Sequence, residues 1–166
     1  MHLVPTLAFL AFISLQRACE LLLAWRNTKR LRAKGAYEVG SSHYPFIVVL
    51  HGAWLVGLWL IGWDRTLSPV WVGAYAALQA ARFWTLATLG GRWTTRILIL
   101  PGAPPVKKGP YRYFRHPNYL IVAGEIAVAP MALGLALFAA VFTALNAVAV
   151  AVRIRVEDRA LREPGT

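Results

Sequence analysis

Residues 120–152 read LIVAGEIAVAPMALGLALFAAVFTALNAVAVAV, a run of 33 residues with a single charged side chain, Glu125. A helix needs about 20 apolar residues to cross the hydrocarbon core of a bilayer, so this run is too long for one crossing. Pro130 and Gly134 interrupt it near its middle, where they favour a turn. The run therefore predicts a tight hairpin of two short membrane helices, at 120–132 and 135–152.

Three apolar stretches lie upstream and predict further membrane helices at 3–25, 45–62 and 69–89. The chain is 58% hydrophobic and 15% charged, whereas a soluble domain carries about 25% charged residues. The first stretch lacks a basic segment and a small-residue cleavage site, so we expect a retained helix rather than a removed signal peptide. The sequence predicts one all-α integral membrane domain, 1–166, with about five transmembrane helices.

The basic residues predict the orientation of this domain. The net charge is +11, from 18 Lys and Arg against 7 Asp and Glu. Five of the 18 lie in 26–34, six in 90–119 and four in 153–162. In a five-helix chain these segments share one face, which the positive-inside rule places in the cytoplasm, with the N-terminus outside. Membrane orientation therefore explains the charge, and we expect contact with membrane lipids and none with nucleic acid.

The third loop, 90–119, is long for a chain of tight connections, and long ordered loops are often functional. It ends in GPYRYFRHPNY, residues 109–119. Pro117 disfavours helical geometry at His116 and suits the first turn of a helix, with Asn118 as a possible capping residue. His116 is thus expected at the positive end of the fourth helix, where anions bind. A juxtamembrane belt of aromatic and basic residues is the alternative.

A second polar segment, RIRVEDRAL at 153–161, follows the last predicted crossing. Arg153 and Glu157 are four residues apart and share one face of a helix, where they could form an ion pair. The segment emerges on the same side as the third loop. Together the loop and the C-terminal helix could close a cytoplasmic pocket for a polar cofactor, lined by His, Tyr, Arg and Glu.

GPYRYFRHPNY followed by RIRVEDRAL resembles the isoprenylcysteine carboxyl methyltransferase family of integral membrane methyltransferases, in particular its short five-helix bacterial branch. RNTKRLRAKGAYEVGSSHYP and RWTTRILILPGAP are also similar to that branch. The resemblance implies an S-adenosylmethionine-dependent O-methyltransferase of the bacterial cytoplasmic membrane, with its catalytic region at 90–166. Its substrate would be the carboxylate or the enol or phenol oxygen of a lipophilic small molecule or lipidated substrate that enters from the bilayer.

The resemblance also implies roles for individual residues. Arg153 would orient the acceptor group of the substrate. This chain has Arg96 where the family has a glutamine near the start of the region, so we leave Arg96 out of the site. The family's second acidic residue corresponds to Asp158. S-adenosylmethionine would be held by the following residues, the first four largely through their backbone: Ala103, Pro104, Pro105, Val106, Tyr111, His116, Pro117, Asn118, Tyr119 and Glu157.

Glu125 is a further catalytic candidate, because an ionisable residue inside a membrane helix is costly and often functional. The alternative is a structural ion pair with Arg17 or Arg82. Arg17 and Glu20 are three residues apart on one helix, so we expect them to pair. The four histidines are scattered along the chain, and no metal site is predicted. Two of them, at 43 and 51, could line a substrate path or form structural hydrogen bonds.

Three other functions remain compatible with these motifs. Membrane sterol-type reductases, which use NADPH, share the RHPNY run and have a Gly-Glu pair nearby, here Gly124 and Glu125. Phospholipid N-methyltransferases have a similar run. A small membrane scaffold or transporter subunit is the non-enzyme alternative, and it predicts that neither cofactor binds.

Overall fold

The computed structural model describes residues 3–162, and the side chains of 3–160. The ends of the predicted domain 1–166, and the end of its catalytic region 90–166, therefore lie outside the described residues. The described residues form five α-helices: α1 (Leu3–Ala33), α2 (Tyr44–Gly62), α3 (Pro69–Leu89), α4 (Pro117–Ala132) and α5 (Ala136–Arg162). The fold is mostly helical, as predicted.

Three helices of the described part are long and apolar enough to cross a membrane: Leu3–Ala33, Ser41–Gly62 and Ala136–Ala160. These helices confirm the prediction of a mostly helical protein with membrane-spanning segments. Helix α4 has 16 residues and is about 24 Å long, which is shorter than the hydrocarbon core of a typical bilayer. That the chain crosses the membrane five times therefore stays a prediction.

Two helices extend beyond the ends predicted for their spans. Helix α1 was expected to end at residue 25 and continues to Ala33, so most of the basic residues assigned to the first loop lie on its last turns. Arg and Lys are good helix formers, so the polar segment continues the helix. Gly35, with φ of 88°, ends it by adopting a left-handed backbone. Helix α5 likewise runs through RIRVEDRAL.

A short sheet corrects the expectation of an all-α chain. Strand β1 (Tyr37–Val39) pairs antiparallel with strand β2 (Ile97–Ile99), with Val39 opposite Ile97. Isoleucine and valine favour strands, but three residues are too few to show an alternating pattern. The sheet ties the connection after α1 to the third loop, and so fixes one end of that loop against the helices.

The apolar core lies between α1, α2, α3 and α4. Leu10, Ile13, Leu58 and Ile126 are fully buried there. Trp54 of α2 is buried as well, and its indole N–H donates to the carbonyl of Ile126, 3.2 Å away. The large apolar side chains fix the positions of α2 and α4, and α4 in turn carries the start of the candidate site.

A three-residue connection, 133–135, joins α4 to α5. Gly134 has φ of 70°, which favours glycine. The amide of Leu135 donates to the carbonyl of Pro130 at 3.0 Å, which closes the turn. Because α4 and α5 are joined this tightly, the first turn of α4 and the last turns of α5 lie side by side at the far end of the pair.

Candidate functional site

A cleft of about 1100 Å³ lies between the third loop and the end of α5. Arg153, the residue predicted to orient the acceptor, lies on its wall. Of the residues predicted to hold the cofactor, all but Pro117 line it: Ala103, Pro104, Pro105, Val106, Tyr111, His116, Asn118, Tyr119 and Glu157. Pro117 is buried in the first turn of α4. The structure thus brings together residues that lie up to 54 positions apart in the chain.

The start of α4 forms one wall of the cleft. His116 precedes the helix, and its carbonyl accepts the amide of Tyr119 at 3.2 Å. Asn118 does not cap the helix as expected: its Oδ1 accepts the indole N–H of Trp93 at 3.4 Å. No side chain in the described part of the chain caps this end. The positive end of the α4 dipole therefore faces a wall formed by His116, Asn118 and Tyr119.

Tyr119 links the two charged residues of α5. The Nε of Arg153 donates to the Tyr119 hydroxyl oxygen at 2.8 Å, and that hydroxyl donates to Oε2 of Glu157. Within the described residues, the direct ion pair between Arg153 and Glu157 is not formed. A tyrosine from α4 is inserted between them, so each charged group keeps polar atoms available to a ligand.

His116 has two acidic neighbours on α5. Its Nε2 lies 3.3 Å from Oδ1 of Asp158, and its Nδ1 lies 3.9 Å from Oε2 of Glu157. The imidazole also stacks on the ring of Tyr119, with centroids 5.4 Å apart. Arg115 pairs with the same Asp158 oxygen at 3.2 Å. These contacts fix the histidine ring at the edge of the cleft.

Tyr111 lies on a short 3₁₀ turn, Gly109–Arg112, that packs on α3. Gly109 has φ of 52°, and a Cβ built there would lie 2.3 Å from Oγ1 of Thr88. Glycine therefore allows the turn to approach α3 closely. Burial, together with the negative charge of Glu157, raises the pKa of Tyr111 to about 12. Its hydroxyl is neutral at physiological pH and can donate a hydrogen bond.

Several cleft residues were not predicted from the sequence. Arg92 donates to the carbonyl of Pro104 at 2.7 Å and so holds the 103–106 segment in place. Trp93 is buried, and its carbonyl accepts the side-chain amide of Asn27 at 2.8 Å. These residues lie in RWTTRILILPGAP, one of the segments that carried the resemblance, but their roles depend on partners that are distant in the chain.

Arg96 lies on the cleft wall, although it was left out of the site. Its Nη1 is 2.6 Å from Oε1 of Glu38 on β1. Its guanidinium also lies over the ring of Tyr44, 4.2 Å from the centroid. Both contacts hold Arg96 against the sheet and the start of α2.

Glu125 does not line the cleft. It is fully buried between α1, α3 and α4, where Oε2 accepts from Arg17 at 2.8 Å and from Arg82 at 3.0 Å. Gln79 donates to its other oxygen at 2.8 Å. Arg17 also pairs with Glu20 at 3.1 Å, which confirms the pairing expected within α1. Of the two hypotheses for Glu125, the structure shows the ion pairs. Glu125 lies apart from the residues predicted to bind the cofactor.

The region that forms the cleft matches a known protein family. Residues 71–163 match the profile of the isoprenylcysteine carboxyl methyltransferase (ICMT) family. The chain belongs to this family. The match begins in α3 and includes the third loop, α4 and the described part of α5, so it contains every residue predicted for the site. As a member of the ICMT family, the chain belongs among membrane methyltransferases, and ICMT family members use S-adenosylmethionine.

Two bacterial relatives are similar over nearly their whole length. The chain is 38% identical to the uncharacterized protein YpbQ of Bacillus subtilis over 159 residues, which cover 93% of this chain and 95% of the relative. It is 28% identical to an uncharacterized protein of Haemophilus influenzae over 168 residues, 90% of this chain and 95% of the relative. No solved structure matches the chain.

Proposed function

We propose that this chain is an S-adenosylmethionine-dependent O-methyltransferase that acts on a carboxylate or an enol or phenol oxygen of a lipophilic substrate. The observation that carries the proposal is the cleft itself. It gathers Tyr111, His116, Tyr119 and Glu157, from the third loop, α4 and α5, around one space in a member of a methyltransferase family.

The residues of the cleft fit S-adenosylmethionine. Pockets for ligands of this size span about 300–1,000 Å³, and the cleft is of similar volume. Tyr119 donates to Oε2 of Glu157, which leaves Oε1 to accept from ribose hydroxyls or the amino group of the cofactor. The positive end of α4 and the Tyr111 hydroxyl suit the carboxylate of its methionine part.

The chain's own residues would align the acceptor. S-adenosylmethionine, when bound, supplies an electrophilic methyl group on its sulfonium. Direct displacement depends mainly on the alignment of the reacting atoms. Arg153 donates to Tyr119 through Nε, so its two terminal nitrogens can bind an acceptor carboxylate or enolate in a planar fork. For an acceptor that must first lose a proton, His116 and Glu157 are the candidate bases of the cleft.

An apolar groove supports a lipophilic substrate. It has a volume of about 470 Å³ and is lined mostly by small and aliphatic residues of α4 and α5, including Leu120, Ala147 and Ile154. Phe114 and Arg115 of the third loop also line it. His116 and Tyr119 border both the groove and the cleft. A hydrocarbon chain in this groove would bring its polar end to the residues of the cleft.

Methyl transfer can be tested with the purified protein in detergent. We expect labelled methyl from S-adenosylmethionine to enter a lipid-extractable product when long-chain fatty acids, alkylphenols and alkylresorcinols are offered as acceptors. Arg153→Ala should abolish most of the transfer. Oxidation of NADPH without methyl transfer would contradict the proposal and favour the reductase alternative.

We propose that all five helices cross the membrane, with the cleft on the cytoplasmic side. The concentration of basic residues in 26–34, 90–119 and 153–162 supports this orientation. In a Cys19→Ser background, an impermeant thiol reagent should label the Thr66→Cys variant from outside intact cells. It should label Lys107→Cys only after the cells are opened. Labelling of both variants from one side would contradict five crossings.

A further inference from the structure

Trp93 lies near the start of the third loop, on the wall of the cleft, and is 2% exposed. Its carbonyl accepts from Nδ2 of Asn27 on α1 at 2.8 Å, and the same Nδ2 donates to the carbonyl of Gly90 at 3.1 Å. The amide of Trp93 also donates to the Gly90 carbonyl at 3.1 Å, which closes a short turn. A buried side chain of α1 therefore holds this turn and the backbone of Trp93 in place.

The indole of Trp93 sets the orientation of the Asn118 side chain. Its Nε1 donates to Oδ1 of Asn118 at 3.4 Å, across 25 positions of the chain. An indole nitrogen can only donate, and only the oxygen of a side-chain amide can accept. The contact therefore decides which end of the Asn118 amide faces Trp93. The other end, Nδ2, stays available as a donor, and Asn118 lines the cleft.

Asn118 is the second residue of α4, directly after Pro117. No side chain in the described part of the chain caps this end of the helix, so the positive end of the helix dipole adds to the donor on Asn118. Anions bind at such ends. The carboxylate of the methionine part is the anionic group of S-adenosylmethionine, whereas its sulfonium and ammonium groups are cations. The carboxylate is therefore the group of the cofactor that suits this position.

We propose that Trp93 is a positioning residue for cofactor binding, which orients the Asn118 amide so that Nδ2 donates to the cofactor carboxylate. Asn27 holds Trp93, so α1 supports this end of the cleft although it lies outside the residues 71–163 that match the family. The inference rests on the proposed function and adds residues that act on the same site. Without the indole N–H, the contact no longer distinguishes the two ends of the Asn118 amide.

A matched pair of ligands tests this proposal without requiring turnover. S-adenosylhomocysteine and its decarboxylated analogue, S-adenosyl-3-thiopropylamine, differ by one carboxylate. Trp93→Phe keeps an aromatic ring and removes the indole N–H. We expect this variant to bind S-adenosylhomocysteine about fivefold more weakly in calorimetry, because the hydrogen bond to the carboxylate is misaligned. Its affinity for the analogue should stay close to the wild-type value. Equal losses with both ligands would mean a general change of the cleft and would overturn the proposal.

A double variant tests whether Trp93 acts through Asn118. Asn118→Leu should also weaken the binding of S-adenosylhomocysteine selectively. Trp93→Phe combined with Asn118→Leu should bind no more weakly than Asn118→Leu alone, because both changes remove the same donor. Additive losses would show that Trp93 acts by another route, and the proposal would fail.

Trp59→Phe is the matched control for the loss of an indole hydrogen bond. The Nε1 of Trp59 on α2 donates to the hydroxyl of Ser14 on α1 at 2.9 Å. This variant should bind both ligands with wild-type affinity. A selective loss of affinity for S-adenosylhomocysteine in Trp59→Phe as well would contradict a specific role for Trp93.

The part played by α1 is tested with Asn27→Ala, which removes both hydrogen bonds to the turn. It should weaken the binding of S-adenosylhomocysteine in the same selective way, and wild-type affinity would contradict the role assigned to α1. If this variant does not fold, Trp93→Phe still tests the proposal, because it leaves those backbone contacts intact. If S-adenosylhomocysteine does not bind the wild type, the proposed function fails. If it binds the wild type and Trp93→Phe equally well, only the role of Trp93 fails.

Discussion

Glu125 and Glu157 are both acidic residues on the helices of one bundle, and both accept hydrogen bonds from neighbouring side chains. The side chain of Glu125 is 0% exposed and is held by two guanidinium groups and a glutamine. That of Glu157 is 27% exposed, on the wall of a cleft, and takes a bond from the Tyr119 hydroxyl. The first carboxylate has its partners within the fold, and the second keeps capacity for a ligand.

Each glutamate belongs to a cluster with a different character. The interior cluster consists of Arg17, Glu20, Arg82 and Glu125, and its two positive and two negative charges balance. Its members are paired with one another, so a ligand could enter only by breaking these pairs. The cleft cluster consists of His116, Tyr119, Arg153 and Glu157, and it borders open space. The charges of the interior cluster satisfy one another within the bundle, whereas the half-exposed polar groups around the cleft keep hydrogen-bonding capacity for a ligand.

The largest expected effect comes from opening the interior cluster. Glu125→Leu leaves Arg17 and Arg82 short of a carboxylate in the bundle, and removal of one partner of a buried ion pair costs about 3–5 kcal/mol. We expect a large fall in the unfolding temperature in detergent, or loss of the protein from the membrane. An unfolding temperature like that of the wild type, together with lost methyl transfer, would show instead that Glu125 is catalytic.

The next effect separates the two glutamates by function. Glu157→Gln keeps the shape of the side chain and removes its charge, so hydrogen bonds to the cofactor weaken. We expect the affinity for S-adenosylhomocysteine, measured by calorimetry, to fall about tenfold or more. The unfolding temperature without ligand should stay close to the wild-type value. A variant that unfolds early would place Glu157 with the structural residues.

Arg153 should affect the acceptor more than the cofactor. Arg153→Ala removes the guanidinium that we propose orients the acceptor, so kcat/KM for the lipophilic substrate should fall about tenfold or more. Affinity for S-adenosylhomocysteine should change less than in Glu157→Gln. Parallel losses of both affinities would contradict the division of roles within the cleft cluster.

The smallest effect is a pH dependence at Tyr111. Burial raises its pKa to about 12, whereas the phenol of an unfolded chain ionises near pH 10. The neutral phenol therefore contributes stability below about pH 10, and this contribution is lost as the pH rises toward 12. We expect the unfolding temperature of the wild type to fall slightly more between about pH 10 and 12 than that of Tyr111→Phe. Identical pH dependence would mean that Tyr111 is freely hydrated.

Much of the cleft was predictable because its residues lie in short local motifs. Pro117 marks the start of α4, and the spacing of Arg153 and Glu157 places them on one helix face. For Glu125 the sequence left two hypotheses open, a catalytic role or an ion pair with Arg17 or Arg82. It could not decide between them, because Glu125 meets Arg17 across 108 residues of chain. Sequence spacing carries no information about such a pairing.

Other features have weak sequence signals for physical reasons. The strands at 37–39 and 97–99 are too short to show an alternating pattern, and they pair with each other across about 60 residues of chain. The continuation of α1 to Ala33 was missed because hydropathy marks where an apolar run ends, and the helix extends further than the run.

The measurement that tests the account most directly is the change in unfolding temperature of the purified protein on addition of S-adenosylhomocysteine or NADPH. A ligand that binds the folded state raises this temperature in proportion to its affinity and concentration. We predict that S-adenosylhomocysteine stabilises the protein and that NADPH does not. Stabilisation by NADPH alone would contradict the assignment of the cleft as an S-adenosylmethionine site.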